Sequence, residues 1–159
     1  MSQPLVTPPA SMFDYLPARI GRSADVPWIR ESDVKSWKPL RFASDGSYFV
    51  ELLRMSPGAV MPLHRHTGPI HAFNLEGERV LCTGERIGPG DYVFEPPGNT
   101  DWWRIVGDQP MTVLVVVNGT VEFLDAKGQV RSRASAQTQL EAYRRYCEQH
   151  GVPMLDLID

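Results

Sequence analysis

The chain has 159 residues, of which 42% are hydrophobic and 22% charged, and a formal net charge of −3 at pH 7. This length suits one domain with a sizeable core and is too short for two. Binding to nucleic acid or to an anionic membrane usually requires a basic face, so the acidic balance argues against both kinds of partner. No apolar run in the sequence approaches the roughly 20 residues that a bilayer-spanning helix needs.

The N-terminal residues 1–25 are rich in Pro and Ser and predict an extended arm. They contain no basic segment followed by an apolar one, so we expect no signal peptide. Cys82 and Cys147 lie far apart and outside any CxxC arrangement, which favours two free thiols in a reducing compartment. Together these features predict a cytoplasmic protein.

Residues 26–132 predict a β-barrel. After an irregular lead-in over residues 26–40, short apolar runs follow one another with turn chemistry between them. Asp45-Gly46 between two such runs is a hairpin signal, and Pro96-Pro97-Gly98-Asn99 is a strong turn. Short strands at nearly even spacing are typical of a sandwich or barrel.

The final segment, residues 133–159, predicts a helix and a tail that pack on the barrel. Residues 135–150 favour the helix. It would begin with a capping box over Thr138–Glu141, or alternatively at Ser135, and end at Gly151. We expect this helix to lie outside the barrel or across a subunit interface, with no chemical role.

The pair His64 and His66 is the principal candidate for chemistry. On a strand, side chains at i and i+2 project from the same face. Two imidazoles on the inward face of a barrel suit a divalent metal such as Fe, Zn, Ni or Mn. The alternative is a pair of surface histidines at a strand end.

Two longer motifs surround this pair. The stretch Gly58–Gly77, with five residues between Gly58 and His64, resembles the first motif of the cupin family. The stretch Gly90–Asp101, GDYVFEPPGNTD, resembles the second. The resemblance implies an all-β cupin fold, a double-stranded β-helix or jelly-roll barrel, here with an N-terminal arm and a C-terminal α-helix.

Within the cupins, HRHTGPIHAFNLEG and GDYVFEPPGNTDWW resemble the acetylacetone dioxygenase-like branch, which includes 2,4′-dihydroxyacetophenone dioxygenases. That resemblance implies Fe(II) held by three histidines, and O2-dependent cleavage of a carbon–carbon bond next to a carbonyl. It makes Fe(II) the expected cofactor, with Zn, Mn or Ni as alternatives, and a small carbonyl compound and O2 the expected substrates. A homodimer or homotetramer is also expected, because barrel edges otherwise remain exposed.

The sequence departs from the cupin motifs at two positions. Ile70 occupies the place of the usual Glu, as in the three-histidine branch, and Asp101 replaces the last His of the second motif. Asp101 could complete a set of two histidines and one carboxylate, an arrangement used by Fe(II) oxygenases. Because Asp is shorter than His, the alternative is a lost ligand and a weakened site.

Four further residues are candidates for the site. His71 is a candidate catalytic residue that would orient a ligand or contact substrate, although it could equally be a hydrogen-bonded core histidine. Phe73, Phe94 and Trp103 are candidate walls of a substrate pocket, with plain core packing as the alternative.

The sequence leaves three functions open. The first is an iron-dependent dioxygenase that uses His64, His66 and Asp101. The second is a cupin isomerase, lyase or hydrolase with Zn, Mn or Ni as a Lewis acid. The third is a non-catalytic ligand-binding or sensor cupin whose metal site is incomplete.

Overall fold

The computed structural model describes residues 18–159, so most of the predicted N-terminal arm lies outside the described residues. A short 3₁₀ helix, Ser23–Asp25, precedes the first strand. The elements that follow are β1 (Ile29–Arg30), β2 (Lys35–Phe42), β3 (Tyr48–Met55), β4 (Val60–His66), β5 (Ile70–Glu76), β6 (Glu78–Leu81), β7 (Arg86–Ile87), β8 (Tyr92–Glu95), β9 (Thr100–Val106), β10 (Met111–Asn118), β11 (Val121–Leu124), β12 (Val130–Ala134) and α1 (Ala136–His150).

The strands form two six-stranded sheets, ordered β1-β2-β3-β10-β5-β8 and β12-β11-β4-β9-β6-β7. Neighbouring strands pair antiparallel throughout both sheets. The apolar faces of the two sheets enclose one core, in which the largest fully buried side chains include Phe42, Phe49, Met55, Ile105 and Met111. The prediction of an all-β barrel with a C-terminal helix is confirmed.

A bulge in β4 determines where the two histidines point. Met61, His64 and His66 are all buried, although Met61 and His64 are three residues apart. The pairing of β4 with β9 shifts register between them, which inserts one extra residue and restores the inward direction for His64. Pro62 lies in this irregular segment, where a missing N–H costs little.

The prediction of an irregular lead-in over residues 26–40 is wrong for its second half. Lys35–Phe42 is a strand, and Trp37 within it is buried. In the sequence, Pro39 argues against a strand at this position, because proline is disfavoured within a sheet. The structure accommodates it where the pairing of β2 with β3 shifts register, between Pro39 and Arg41.

Helix α1 (Ala136–His150) is capped by Ser135, the alternative start, and not by Thr138. The Ser135 side chain accepts from the Thr138 backbone N–H, and the Thr138 side chain accepts from the Ser135 N–H. Gly151 ends the helix in the left-handed conformation at φ 62°. Tyr143 and Cys147 are buried between α1 and the barrel.

Both cysteines are free thiols: Cys82 is exposed and Cys147 is buried. Within residues 18–159, no helix combines the length and the apolar character needed to cross a membrane.

Gly77 supports the turn between β5 and β6, and we predict that Gly77→Ala destabilises the fold strongly. Its φ is +65°, and an added Cβ would collide with the Pro110 carbonyl oxygen and lie 2.7 Å from Met111 Cα. The expected loss is more than about 3 kcal/mol in urea unfolding, because backbone strain and a steric clash add. Gly84→Ala is the matched control: φ is +94° but no atom lies within 4 Å. Its loss should be about 1–2 kcal/mol, and equal losses at both positions would contradict the packing argument.

Candidate functional site

A cavity of about 270 Å³ lies between the two sheets and contains both histidines of β4. Most of its wall is apolar, while its polar groups fall into two sets, one around the histidines and one towards solvent. The apolar wall includes Trp37, Phe49, Leu53, Met61, Ile70, Ala72, Trp103, Val113, Val115, Val117, Val121 and Phe123. A largely apolar cavity with convergent polar groups is the usual form of a small-molecule site.

His64 is held in one orientation by the backbone. Its Nδ1 lies 2.7 Å from the Pro62 carbonyl oxygen, which can only accept, so Nδ1 carries the proton and Nε2 keeps a free lone pair. Burial lowers the pKa of His64, an effect that outweighs the hydrogen bond to Pro62. The imidazole is therefore neutral at pH 7, the state in which it can bind a metal.

His66 faces a carboxylate that the sequence analysis did not identify. Its Nε2 lies 3.3 Å from Glu95 Oε2, and both side chains are almost fully buried. The two groups are not aligned for a hydrogen bond, and neither ring nitrogen of His66 has a hydrogen-bond partner among residues 18–159. An imidazole left unpaired in an apolar interior is costly unless another group satisfies it.

Glu95 reaches this position from the opposite sheet. It is the cross-strand partner of Ile70, the position where the cupin motif normally has its Glu. The carboxylate therefore enters the cavity one strand away from the usual place. Asn99, in the turn after β8, donates from Nδ2 to Glu95 Oε1 at 3.1 Å and leaves Oε2 directed at His66.

The charge on Glu95 is maintained despite its burial. Burial would raise the pKa of Glu95, but the close contact with His66 and the charge of Arg79 outweigh it and lower the pKa. Glu95 is thus an ionised carboxylate at neutral pH. In the sequence, the signal that could have identified it is strand alternation, which turns Glu95 to the same inward side as Val93.

Arg79 adds a buried cation to the same wall. It is 3% exposed, and its guanidinium carbon lies 4.8 Å from the centre of the Trp103 ring. Burial lowers the pKa of Arg79, whereas the charges of Glu95 and Asp101 raise it. Arg79 Nε has no hydrogen-bond partner within the described part of the chain.

Asp101 pairs directly with His64 between β9 and β4 and is 4% exposed. Its Oδ1 has no hydrogen-bond partner among the described residues. Asp101 does not line the cavity, however. It interacts instead with the Cys82 thiol on the adjacent segment and raises the pKa of that thiol. The structure thus brings His64, His66 and Glu95 into the cavity wall and leaves Asp101 beside it.

Three of the other candidates lie outside the cavity. Alternation from the inward Ile70 turns His71 and Phe73 to the outer face, and Phe94 follows them there on β8. Phe73 and Phe94 are 41% and 53% exposed, which corrects their assignment as pocket walls. His71 Nδ1 is 2.7 Å from the Tyr92 hydroxyl on the same outer face, so it contacts neither the histidine pair nor the cavity.

The fourth candidate, Trp103, lies in the cavity wall and is 4% exposed. The preceding Trp102 points outward and is 42% exposed. This difference follows from strand alternation on β9.

A second set of polar residues lines the end of the cavity nearest to solvent: Glu31, Lys35, Glu51, Ser132, Arg133 and Gln139. Gln139 comes from α1, so the helix forms part of the wall, which the sequence analysis did not anticipate. Gln139 Nε2 donates to Glu51 Oε2 at 3.1 Å. Burial raises the pKa of Glu51 to about 7, although the hydrogen bond from Gln139 and the charge of Lys35 oppose that rise.

The ChrR cupin-like domain family matches residues 18–122 of the chain. The chain belongs to this cupin family. It is 38% identical over 85 residues to the dimethylsulfoniopropionate lyase DddQ of Ruegeria pomeroyi, a match that covers 51% of this chain and 41% of the lyase. This cupin therefore spans about two fifths of the length of that curated relative.

Solved structures share the fold of this cupin. An RmlC-like cupin from Ralstonia eutropha superposes with a TM-score of 0.81 at 22% identity, covering 87% of this chain and 92% of the other. An acetylacetone dioxygenase from Acinetobacter johnsonii superposes with a TM-score of 0.67 at 16% identity, covering 84% and 99%. At these identities the likeness concerns the fold, and the relatives include both a lyase and a dioxygenase.

The side chains of this cupin fit a metal ion in part. In the described range 18–159, no three His, Cys, Asp or Glu side chains already converge as a complete set of ligands. Two groups that bind one ion side by side, each at about 2.1 Å, lie about 3 Å apart. The 3.3 Å between His66 Nε2 and Glu95 Oε2 is close to that separation, and the free lone pair of His64 Nε2 supplies another donor.

We predict that Glu51→Gln makes the protein more stable than the parent at pH 8 but not at pH 4. Between pH 4.5 and about 7, the folded chain retains a proton on Glu51 that the unfolded chain releases. The contribution of Glu51 therefore becomes less favourable as pH rises through this window and is fully unfavourable above it, by about 1–3 kcal/mol after allowance for partial exposure. Urea unfolding of both proteins at the two pH values measures the difference. A constant difference at both pH values would contradict the burial of this carboxylate.

Proposed function

We propose that the protein is a metal-dependent cupin enzyme, an Fe(II) dioxygenase that cleaves a carbon–carbon bond next to the carbonyl of a small ketone or diketone. The observation that carries the proposal is the buried ring of His66, which lacks a hydrogen-bond partner in residues 18–159 and lies 3.3 Å from a charged Glu95 carboxylate. A shared metal ion would satisfy both groups. The resemblance of the histidine motif to the acetylacetone dioxygenase-like branch supports the choice of iron and O2.

The ligand set in this proposal is His64, His66 and Glu95. Two imidazoles and one carboxylate form the arrangement that Fe(II) oxygenases use, and a bound Fe(II) supplies open positions for substrate oxygens and O2. Glu95 takes the role that the sequence analysis gave to Asp101, because Glu95 lines the cavity and Asp101 does not. Asn99 orients Glu95 through its hydrogen bond to Oε1.

Arg79 and the apolar wall would act on the substrate. The Arg79 cation lines the same cavity and has an unpaired Nε among the described residues. It is suited to bind a carbonyl oxygen and to stabilise negative charge that develops there, since such charge is favoured by a fixed donor in a water-poor site. The surrounding valines and aromatic rings exclude water and hold a compact apolar substrate.

A lyase is the second candidate function, favoured by the 38% identity to the DddQ lyase over 85 residues. A cupin lyase would use the same histidines, the same carboxylate and Arg79 around a metal that acts as a Lewis acid. It would consume no O2, which separates it from a dioxygenase.

Two matched pairs of variants test the ligand set in anaerobic Fe(II) titrations. His66→Ala should lower Fe(II) affinity by more than about 100-fold, whereas His71→Ala, on the outer face, should leave it unchanged. Glu95→Gln should lower the affinity to a similar extent, and Asp101→Asn should change it only a few-fold. If Asp101→Asn abolishes binding while Glu95→Gln retains it, Asp101 is the ligand and the proposal for Glu95 is wrong.

The reaction is tested with the Fe(II)-loaded protein and a panel of small β-diketones and aryl hydroxyketones. We expect one O2 consumed per substrate cleaved, as measured by an oxygen electrode and by product analysis. Arg79→Met should reduce kcat/KM by about 100-fold or more while Fe(II) content is retained. Turnover of dimethylsulfoniopropionate without O2 uptake would support the lyase, and turnover of neither substrate class would contradict both enzymes.

A further inference from the structure

The outer face of the first sheet is apolar or aromatic across four neighbouring strands, β3, β10, β5 and β8. A sheet with one solvent-facing side usually carries polar side chains there. Here the outward side chains instead form two cross-strand rows, which are Leu52, Leu114, Phe73 and Tyr92 in one and Val50, Val116, His71 and Phe94 in the other. Leu75 extends the first row along β5. We call these nine residues the outer patch.

The outer patch is most exposed near β8, the last strand of its sheet. Phe73, Leu75, Tyr92 and Phe94 are between 41% and 59% exposed. Side chains of this size expose about 200 Å² each when free, so the four leave about 400 Å² uncovered. A contiguous exposed apolar patch of this size often marks an interaction surface.

The outer patch offers apolar contact and no charge. None of its nine side chains is acidic, and none is a lysine or an arginine. Two of its polar atoms, His71 Nδ1 and the Tyr92 hydroxyl, lie 2.7 Å apart and satisfy each other. A partner that covers the patch therefore gains mainly by removing apolar surface from water.

The chain covers the opposite end of the same face with its own residues. Lys38 on β2 pairs with Leu52, and its Nζ donates to the Ser23 carbonyl oxygen at 2.5 Å. The centre of the Trp28 ring lies 5.2 Å from Lys38 Nζ and 4.1 Å from the Arg54 guanidinium carbon. Among residues 18–159 this cover does not extend to β5 and β8, where Phe94 is 53% exposed.

We propose that the outer patch is the contact surface of a homodimer, in which the first sheets of two copies pack face to face about a two-fold axis. The patch is three strand spacings wide, about 14 Å. Another sheet face of the same width covers it, whereas a single extended segment covers the width of one strand. In a two-fold contact each patch meets its own copy, so a charged patch would repel itself. The uncharged outer patch suits such a contact and has nothing to attract a charged partner.

The size of the outer patch fits this contact. A stable interface buries about 800 Å² on each partner, of which slightly more than half is apolar. The exposed part of the patch, about 400 Å², supplies most of that apolar share. Contact through a sheet face differs from the pairing of barrel edges that the sequence suggested. It also involves no residue of the cavity wall, so its test is independent of the proposed metal site.

The test is the mass of the 159-residue chain in sedimentation equilibrium across a dilution series, with circular dichroism to verify folding. The parent should be a dimer. Phe94→Lys should raise its dissociation constant by at least about 100-fold, because the substitution enters a two-fold contact twice and replaces an aromatic anchor with a charge. Leu75→Lys should act in the same direction. Trp102→Lys is the matched control, since Trp102 is 42% exposed on the second sheet, and it should leave the dimer unchanged.

Two results would overturn the proposal. In the first, the parent dimer withstands both Phe94→Lys and Leu75→Lys, or dissociates as readily in Trp102→Lys, and the contact lies elsewhere on the protein. In the second, the parent is monomeric at the highest concentration. Hydroxyl-radical labelling of Phe73, Tyr92 and Phe94 in that monomer would then identify the occupant: slow labelling indicates residues 1–17 of the same chain, and fast labelling leaves the patch open to a different protein.

Discussion

The site depends on one physical constraint, which is that polar groups buried in a largely apolar barrel must find partners. His64, His66, Arg79 and Glu95 are each less than 10% exposed, and they face one another between the two sheets. Each would be costly in such an interior if it stood alone. Glu95 remains charged because His66 and Arg79 surround it, while His64 remains neutral because its burial disfavours the cation. The barrel thus keeps His64 neutral and Glu95 ionised, the states in which these two groups can bind a metal.

The sequence was sufficient to predict those features that follow from strand periodicity. Spacing at i and i+2 placed His64 and His66 on one face, and glycine and proline at turns predicted the sequence of short strands. On β8 the aromatic residues face outward and the charged Glu95 faces inward, so the usual expectation that apolar side chains face the core gave the wrong direction. Phe94 in β8 was therefore placed inward when it lies outward, and Glu95 beside it was missed although it faces the cavity.

Long-range packing determined the remaining features. Glu95 reaches the histidines only because β8 pairs with β5 and places it opposite Ile70, a relation between distant segments that spacing cannot show. Gln139 reaches the cavity because α1 closes against the barrel, so a helix that carries no motif contributes to the wall. Its hydrogen bond to Glu51 connects the helix to an interior carboxylate. In this way the fold gives the cavity two polar ends separated by an apolar section.

We infer that Glu95 joins His64 and His66 in binding one metal ion. Crystals grown anaerobically with Fe(II) and measured at the iron absorption edge test it directly. If these three residues bind the iron, one anomalous peak should lie at ligand distance, about 2.0–2.2 Å, from Nε2 of both histidines and from a carboxylate oxygen of Glu95. A peak bound by Asp101 instead of Glu95, or no peak between the histidines at saturating Fe(II), would contradict it.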